Sequence, residues 1–270
     1  MESLSTVEKA VDLLYLLHES SGPQGVTAIG RALGVPKSSA HRLLTALSRR
    51  GLVEQDGRGR YGPGIGLVAL GLGALEREPV VAAARPVLEQ EAEALGETFF
   101  LVGSRAGRLV VLDKAEGNGF LRAAPRVGSS VPVHATAAGK LYLAFAPEAL
   151  ARSDSPLERF TPRTAADATA LEREVTLARK RGWAANREEW IPGLAVLAAP
   201  IWTTAAGTTA AWTTAAKTTV TGMTAARRLA AVVAVAAPAT RMRTLGESEV
   251  AKRTLAAAAR IAARLEGRTP

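Results

Sequence analysis

Between Pro36 and Tyr61 the residues able to do chemistry are cations and hydroxyls rather than acid–base pairs. Lys37, Ser38 and Ser39 open a predicted helix, and His41, Arg42, Thr45 and Arg49 continue it on the side opposite Ala40, Leu43, Leu44 and Leu47. Arg58 and Arg60 follow in a glycine-rich turn. Hydroxyls and guanidinium groups presented this way bond phosphate oxygens and base edges, and Arg on guanine is the commonest specific contact in a major groove. The window holds six basic side chains against two acidic ones, almost half of the chain's net charge of +9. A solvated helix face beside an ordinary hairpin is the plainer alternative.

The elements around these residues favour the first reading. Val7, Ala10, Val11, Leu14 and Leu17 recur at helical spacing after Ser5, which with Glu8 makes a capping box. Thr27 starts a short second helix carrying Ile29, Ala32 and Leu33, and Gly34 stops it. Pro36 suits the first turn of the third, which Gly51 ends. Leu52–Gln55 and Arg60–Tyr61 then flank Asp56-Gly57-Arg58-Gly59 as a hairpin. Helix, helix, turn, helix, hairpin is the order of a winged helix-turn-helix. An apolar segment, Ile65 to Leu75, and a helical stretch, Val80 to Leu95, form a linker region, with a boundary set near residue 78.

Beyond it, Phe99–Val102 and Leu109–Leu112 flank a hairpin turn at Ser104–Gly107. Helices are predicted over Ala135–Phe145, Asp167–Arg181 and Glu247–Leu265, with strands at Leu194–Ile201 and Val232–Ala236. This mixture predicts an α+β sheet domain. From Trp202 to about Ala226 runs an imperfect ten-residue Thr/Ala repeat, read as an insertion between two strands: an extended hairpin arm, with oligomerisation as its functional reading, or a mobile loop.

Composition excludes much. The 270 residues are 47% hydrophobic and 22% charged, with mean hydropathy +0.09, which is a globular chain of one large or two ordinary domains. Having no cysteine removes disulfides, thiolate metal sites and thiol nucleophiles. No apolar run approaches the roughly 18 residues of a membrane span, and Glu2, Glu8 and Lys9 do not suit a secretion signal, so a soluble, cytoplasmic protein without membrane contact is expected. A pI near 10.4 favours a polyanionic partner. His18, His41 and His134 lack any shared spacing, so no metal site is expected, and no Gly-x-Ser-x-Gly elbow occurs. Catalytic residues and cofactors are therefore predicted to be none. Gly139-Lys140 fails as a phosphate loop twice, at His134 and at Leu141. His134 is read as a capping or hydrogen-bonded residue at the helix entry and Lys140 as a surface or subunit contact. Glu188 and Glu189 are pocket-edge structure, or a carboxylate pair for acid–base work.

Four blocks carry a resemblance: Gly34-Val35-Pro36-Lys37-Ser38-Ser39-Ala40-His41-Arg42-Leu43-Leu44, Tyr61-Gly62-Pro63-Gly64, His134-Ala135-Thr136-Ala137-Ala138-Gly139-Lys140 and Glu189-Trp190-Ile191-Pro192-Gly193-Leu194. In this order they resemble the IclR family of bacterial transcription regulators over nearly the whole chain, with the repeat as the departure. The resemblance implies an N-terminal winged helix (1–77), a linker helix (78–96) and a GAF-like effector domain (97–270, with the insertion at about 202–226), acting as a homodimer or homotetramer on a double-stranded DNA operator. It also implies that Phe120, Ala123, Ala137, Ala138, Asn186, Val196, Ala234 and Ala236 line an effector cavity. Relatives that bind small carboxylic acids carry hydroxyls or an acid at several of these positions, so the implied effector is an aromatic or apolar acid, held by Asn186 and backbone N–H groups near Ala138. Simple core packing is the other reading of these small residues. Two rival functions stay open: a GAF-like metabolite-binding enzyme whose N-terminal module makes protein contacts, and a DNA binder with no ligand.

Overall fold

A computed structural model describes residues 5–75, 77–119, 126–151, 156–165, 167–204 and 227–268. The chain divides into two compact units, Met1–Arg77 and Glu78–Pro270.

The first unit is built on α1 (Thr6–Glu19), α2 (Val26–Ala32) and α3 (Lys37–Ser48), followed by β1 (Val53–Gln55), β2 (Tyr61–Pro63) and α4 (Ile65–Leu75). Ser5 and Glu8 close the capping box at the start of α1. The short turn between α2 and α3 depends on Gly34 at φ +62, and Pro36 is the N-cap of α3 rather than its first helical residue. Leu13, Leu17, Ile29, Ala40, Leu44, Val53 and Tyr61 make one core, so α3 is fixed by the face that carries its leucines. Burial of a side chain such as Leu44 contributes about 1.5 to 3 kcal/mol. β1 and β2 pair antiparallel, and Tyr61 also bridges Gln24, tying the hairpin to the turn before α2. Gly64 and Gly66 lie so close to the Gly51 carbonyl that a Cβ would sit 2.3 and 2.8 Å from its oxygen, which accounts for glycine at the exit of the hairpin.

The second unit opens with α5 (Pro79–Leu95) and the hairpin β3 (Thr98–Arg105) and β4 (Arg108–Ala115). Then come β5 (Ser130–Val131), α6 (Ala137–Phe145), α7 (Ala168–Arg181), β6 (Ala184–Arg187), β7 (Leu194–Thr204), β8 (Arg227–Pro238), α8 (Ala239–Leu245) and α9 (Glu247–Leu265). The strands form one antiparallel sheet in the order β5-β4-β3-β8-β7-β6. Alternate residues face opposite ways along a strand. Phe100, Val102, Val196, Ala198, Val232 and Ala234 pack with α6 and α7, while α5 and α9 pack on the sheet through β3, β4, β7 and β8. The long runs of Ala and Val in β7 and β8 are buried throughout because both faces are covered.

Trp202, Thr203 and Thr204, the first residues of the Thr/Ala repeat, complete β7 and pair with Leu229, Arg228 and Arg227. The rest of the repeat, 205–226, lies outside the described residues, as do the expected cavity residues Phe120 and Ala123.

Candidate functional site

On α3, Lys37, Ser38, His41 and Arg42 are exposed, as is Arg49 at its C-cap, and Ser39 and Thr45 are half-buried, with Thr45 Oγ1 donating to the His41 carbonyl at 2.9 Å. Lys37, Arg42, Arg49 and Arg58 have no acidic partner among the described residues. A row of unpaired cations on a rigid helix keeps its full charge for an anion, and desolvates little protein to reach it. In the hairpin, Asp56 accepts the backbone N–H groups of Arg58 at 2.9 Å and Arg60 at 2.8 Å, while Arg60 Nε lies 3.3 Å from its other oxygen. The Arg60 backbone bond leads in holding the Asp56 carboxyl below its usual value. Asp56 thus shapes the turn and leaves Arg58 projecting while Arg60 is engaged.

The second unit contains a cavity of about 20 Å³ between the sheet and the start of α6. Ala137, Ala138, Asn186, Val196 and Ala234 come together round it, with Phe100, Val102, Val131, Thr136, Trp190 and Leu194. Ala236 is buried in the same cluster, paired with Val196 across the sheet, but does not line the cavity. The register is defined at Ala234, which lies opposite Phe100 on one side and Ala198 on the other. Among the described residues no lining side chain is ionisable. The entry to α6 is fixed by Thr136, whose hydroxyl accepts the Gly139 N–H at 3.1 Å. Gly139 is required there, because a Cβ would meet the Val133 carbonyl oxygen at 1.8 Å. Asn186 donates to the Ala135 carbonyl at 2.9 Å and accepts the Glu189 N–H at 2.8 Å, so it pins two cavity walls together.

Lys140 corrects the sequence reading. It is 1% exposed, not a surface residue: its Nζ donates to Glu189 at 2.7 Å, the Ala185 carbonyl at 2.9 Å and Glu174 at 3.1 Å. A buried ammonium is tolerable only when so fully bonded. Its partners lie 34, 45 and 49 residues away, so nothing local in the sequence signals them. This commits the Glu189 carboxylate to structure. Glu188 turns the other way, its carboxylate accepting the Gly193 N–H at 3.0 Å. His134 stacks on Phe160 and contacts the Glu158 carbonyl at 2.7 Å. Trp190, Phe100 and Leu194 are cavity residues that sequence reasoning missed, although the block from Glu189 to Leu194 contains two of them. Among the described residues no group of three side chains is arranged to hold a metal, and no helix is long and apolar enough to cross a membrane.

Comparison with known proteins places these two sites in context. Residues 6–57 match the model of the IclR helix-turn-helix domain, and residues 72–240 that of the bacterial transcriptional regulator IclR C-terminal domain. The HTH-type transcriptional regulator BhcR of Paracoccus denitrificans is 34% identical, over 77% of this chain and 75% of its own. The crystal structure of the Thermotoga maritima IclR matches with a TM-score of 0.69 and 26% identity, covering 97% of this chain and 98% of its own. An IclR homolog from Microbacterium hydrocarbonoxydans, crystallised with 4-hydroxybenzoate, shares the fold at a TM-score of 0.76 and 22% identity, covering 97% and all of its own chain.

Proposed function

The chain belongs to the IclR family of bacterial transcription regulators, and from that premise we propose how its own residues carry out DNA binding and its control by an effector. α3 lies in the major groove of an operator, with Lys37, Ser38, Ser39, His41, Arg42, Thr45 and Arg49 facing the duplex, Arg58 of the hairpin reaching the backbone, and Arg60 joining it by exchanging Asp56 for a phosphate. The observation that carries this reading is the outward, unpaired cation row on α3, whose opposite face is locked into the core. Binding rather than turnover is the activity, consistent with a Glu189 already engaged by Lys140.

The cavity at α6 takes the effector, through Ala137, Ala138, Asn186, Val196 and Ala234. Its mainly aromatic and aliphatic lining, with Thr136 and Asn186 as the polar members and no ionisable group among the described residues, supports an aromatic or apolar acid. The acid's oxygens would be met by the free backbone N–H groups at the start of α6, where the helix dipole favours negative charge. The Microbacterium homolog, which holds an aromatic acid on the same fold, makes 4-hydroxybenzoate and benzoate the first compounds to test. An effector preferring one quaternary arrangement shifts DNA affinity by the ratio of its affinities for the two.

That arrangement is a homodimer or homotetramer. α4 supports it: the helix has no buried residue, and Ile65, Leu70 and Leu72 are 69%, 64% and 56% exposed. So long an apolar surface calls for a partner copy. The linker function falls to the segment from α4 to α5, and the protein works in the cytoplasm on chromosomal DNA. Protection of the DNA upstream of its own or a neighbouring gene, altered by an aromatic acid, tests the whole reading; absence of any protected site rejects it.

A further inference from the structure

We propose that the loop from Glu188 to Gly193 is the door of the α6 cavity, with Trp190 as its inner face and the buried Lys140–Glu189 pair as its latch. This rests on the reading that the cavity receives an aromatic effector. The cavity's size is the starting point. About 20 Å³ holds roughly one water molecule and no ring, so binding requires a wall to move.

Most walls are fixed. Phe100, Val102, Val196 and Ala234 stand on β3, β7 and β8, which are paired on both sides within the sheet. Ala137 and Ala138 begin a helix whose entry is set by the Thr136 cap and the close approach of Gly139 to Val133. Trp190 differs: it is half-buried, it sits on a loop rather than in a ladder, and its indole N–H has no partner among the described residues. It therefore offers both a stacking face and a donor to an aromatic ligand.

Contacts from other elements hold the loop closed. Glu188 stands at φ +64, a left-handed conformation that a side-chain-bearing residue keeps only when its surroundings enforce it. Here Thr161 Oγ1 donates to the Glu188 carbonyl at 2.7 Å and Thr164 Oγ1 to the Glu189 carbonyl at 2.6 Å. The Glu189 N–H is held by Asn186 and its carboxylate by Lys140. A strained loop restrained by a few bonds from α6 and the 161–164 turn has two states separated by those bonds. Because the closed state has no room for a ring, apparent affinity is the intrinsic affinity scaled by the fraction of open protein. Weakening the latch should therefore tighten binding, the reverse of what loss of a ligand contact would do.

Fluorine NMR of the full-length protein labelled with 5-fluorotryptophan tests this, with the Trp190 resonance assigned by its loss in Trp190→Phe. Glu189→Gln, which keeps an acceptor for Lys140, is expected to shift or broaden that resonance and leave the others unchanged. Thr164→Val, isosteric and leaving no buried charge, should do the same. Glu174→Gln, removing the more exposed partner of Lys140, should not. Titration with benzoate should give a Kd lower by about three- to tenfold in Glu189→Gln and Thr164→Val than in the wild type. A Trp190 resonance unmoved in both latch variants, or equal Kd values across the three proteins, overturns the door. If the latch variants move Trp190 but benzoate perturbs no resonance in any protein, the aromatic-acid reading of the cavity fails instead.

Discussion

Arg42 is the residue on which the DNA reading bears most directly, because it is exposed on α3 with no partner among the described residues. Arg42→Ala is expected to weaken operator binding by about 1 to 3 kcal/mol and to relax specificity at one base pair, with effector affinity unchanged in a calorimetric titration. Arg187 and Glu247 provide a test of a different kind. They are joined by two hydrogen bonds of 2.7 and 2.6 Å, and the side-chain bonds from Arg187 lead in holding the Glu247 carboxyl below its usual 4.5. A carboxyl depressed in the folded state adds stability above its unfolded pKa and loses it as pH falls through the lower folded value. Glu247→Gln should therefore be less stable than the wild type to urea near neutrality, and the difference should shrink as pH falls below the usual carboxylate range. The exposed placement of Arg42 opposite the leucines was readable from sequence because it depends on helical spacing alone. Lys140 was not, since lysine is rarely buried and its three partners come from distant segments.

Among the elements, α6 shows how much one position decides. With a Cβ only 1.8 Å from a backbone oxygen, Gly139→Ala cannot be absorbed by a side-chain shift, and it should destabilise the second unit by about 3 kcal/mol or more in urea unfolding. α4 makes the opposite point. Its residues Ile65–Leu75 have no polar face, so the sequence marked only an apolar segment, whereas the structure has a helix with that surface exposed. Leu70→Glu with Leu72→Glu is expected to lower the association constant measured by sedimentation equilibrium, with the helix content of the protein retained. α3 was legible because its apolar positions recur at helical spacing, and the β3–β4 hairpin because two short apolar runs flank a turn that carries glycine. β6, the strand that brings Asn186 to the cavity, is four residues, Ala184-Ala185-Asn186-Arg187, without a β-branched side chain; only pairing with β7 makes it a strand.

For the whole molecule, the division into two units matches a division of labour: one presents cations to a polyanion, the other encloses an apolar cavity. Linkage requires that an effector which changes operator affinity have its own affinity changed by the same factor when operator is bound. DNA affinity should also fall steeply with salt, since each phosphate contact releases counterions. The measurement that tests the central claim most directly is fluorescence anisotropy on a duplex protected upstream of the gene, comparing the wild type, Arg42→Ala and a scrambled duplex at fixed salt. If α3 reads the major groove, wild-type affinity for the true site should exceed that for the scrambled one by about a thousandfold or more, and Arg42→Ala should forfeit about ten- to a hundredfold of it. Equal binding of both duplexes by the wild type, or undiminished specificity in Arg42→Ala, would contradict the account.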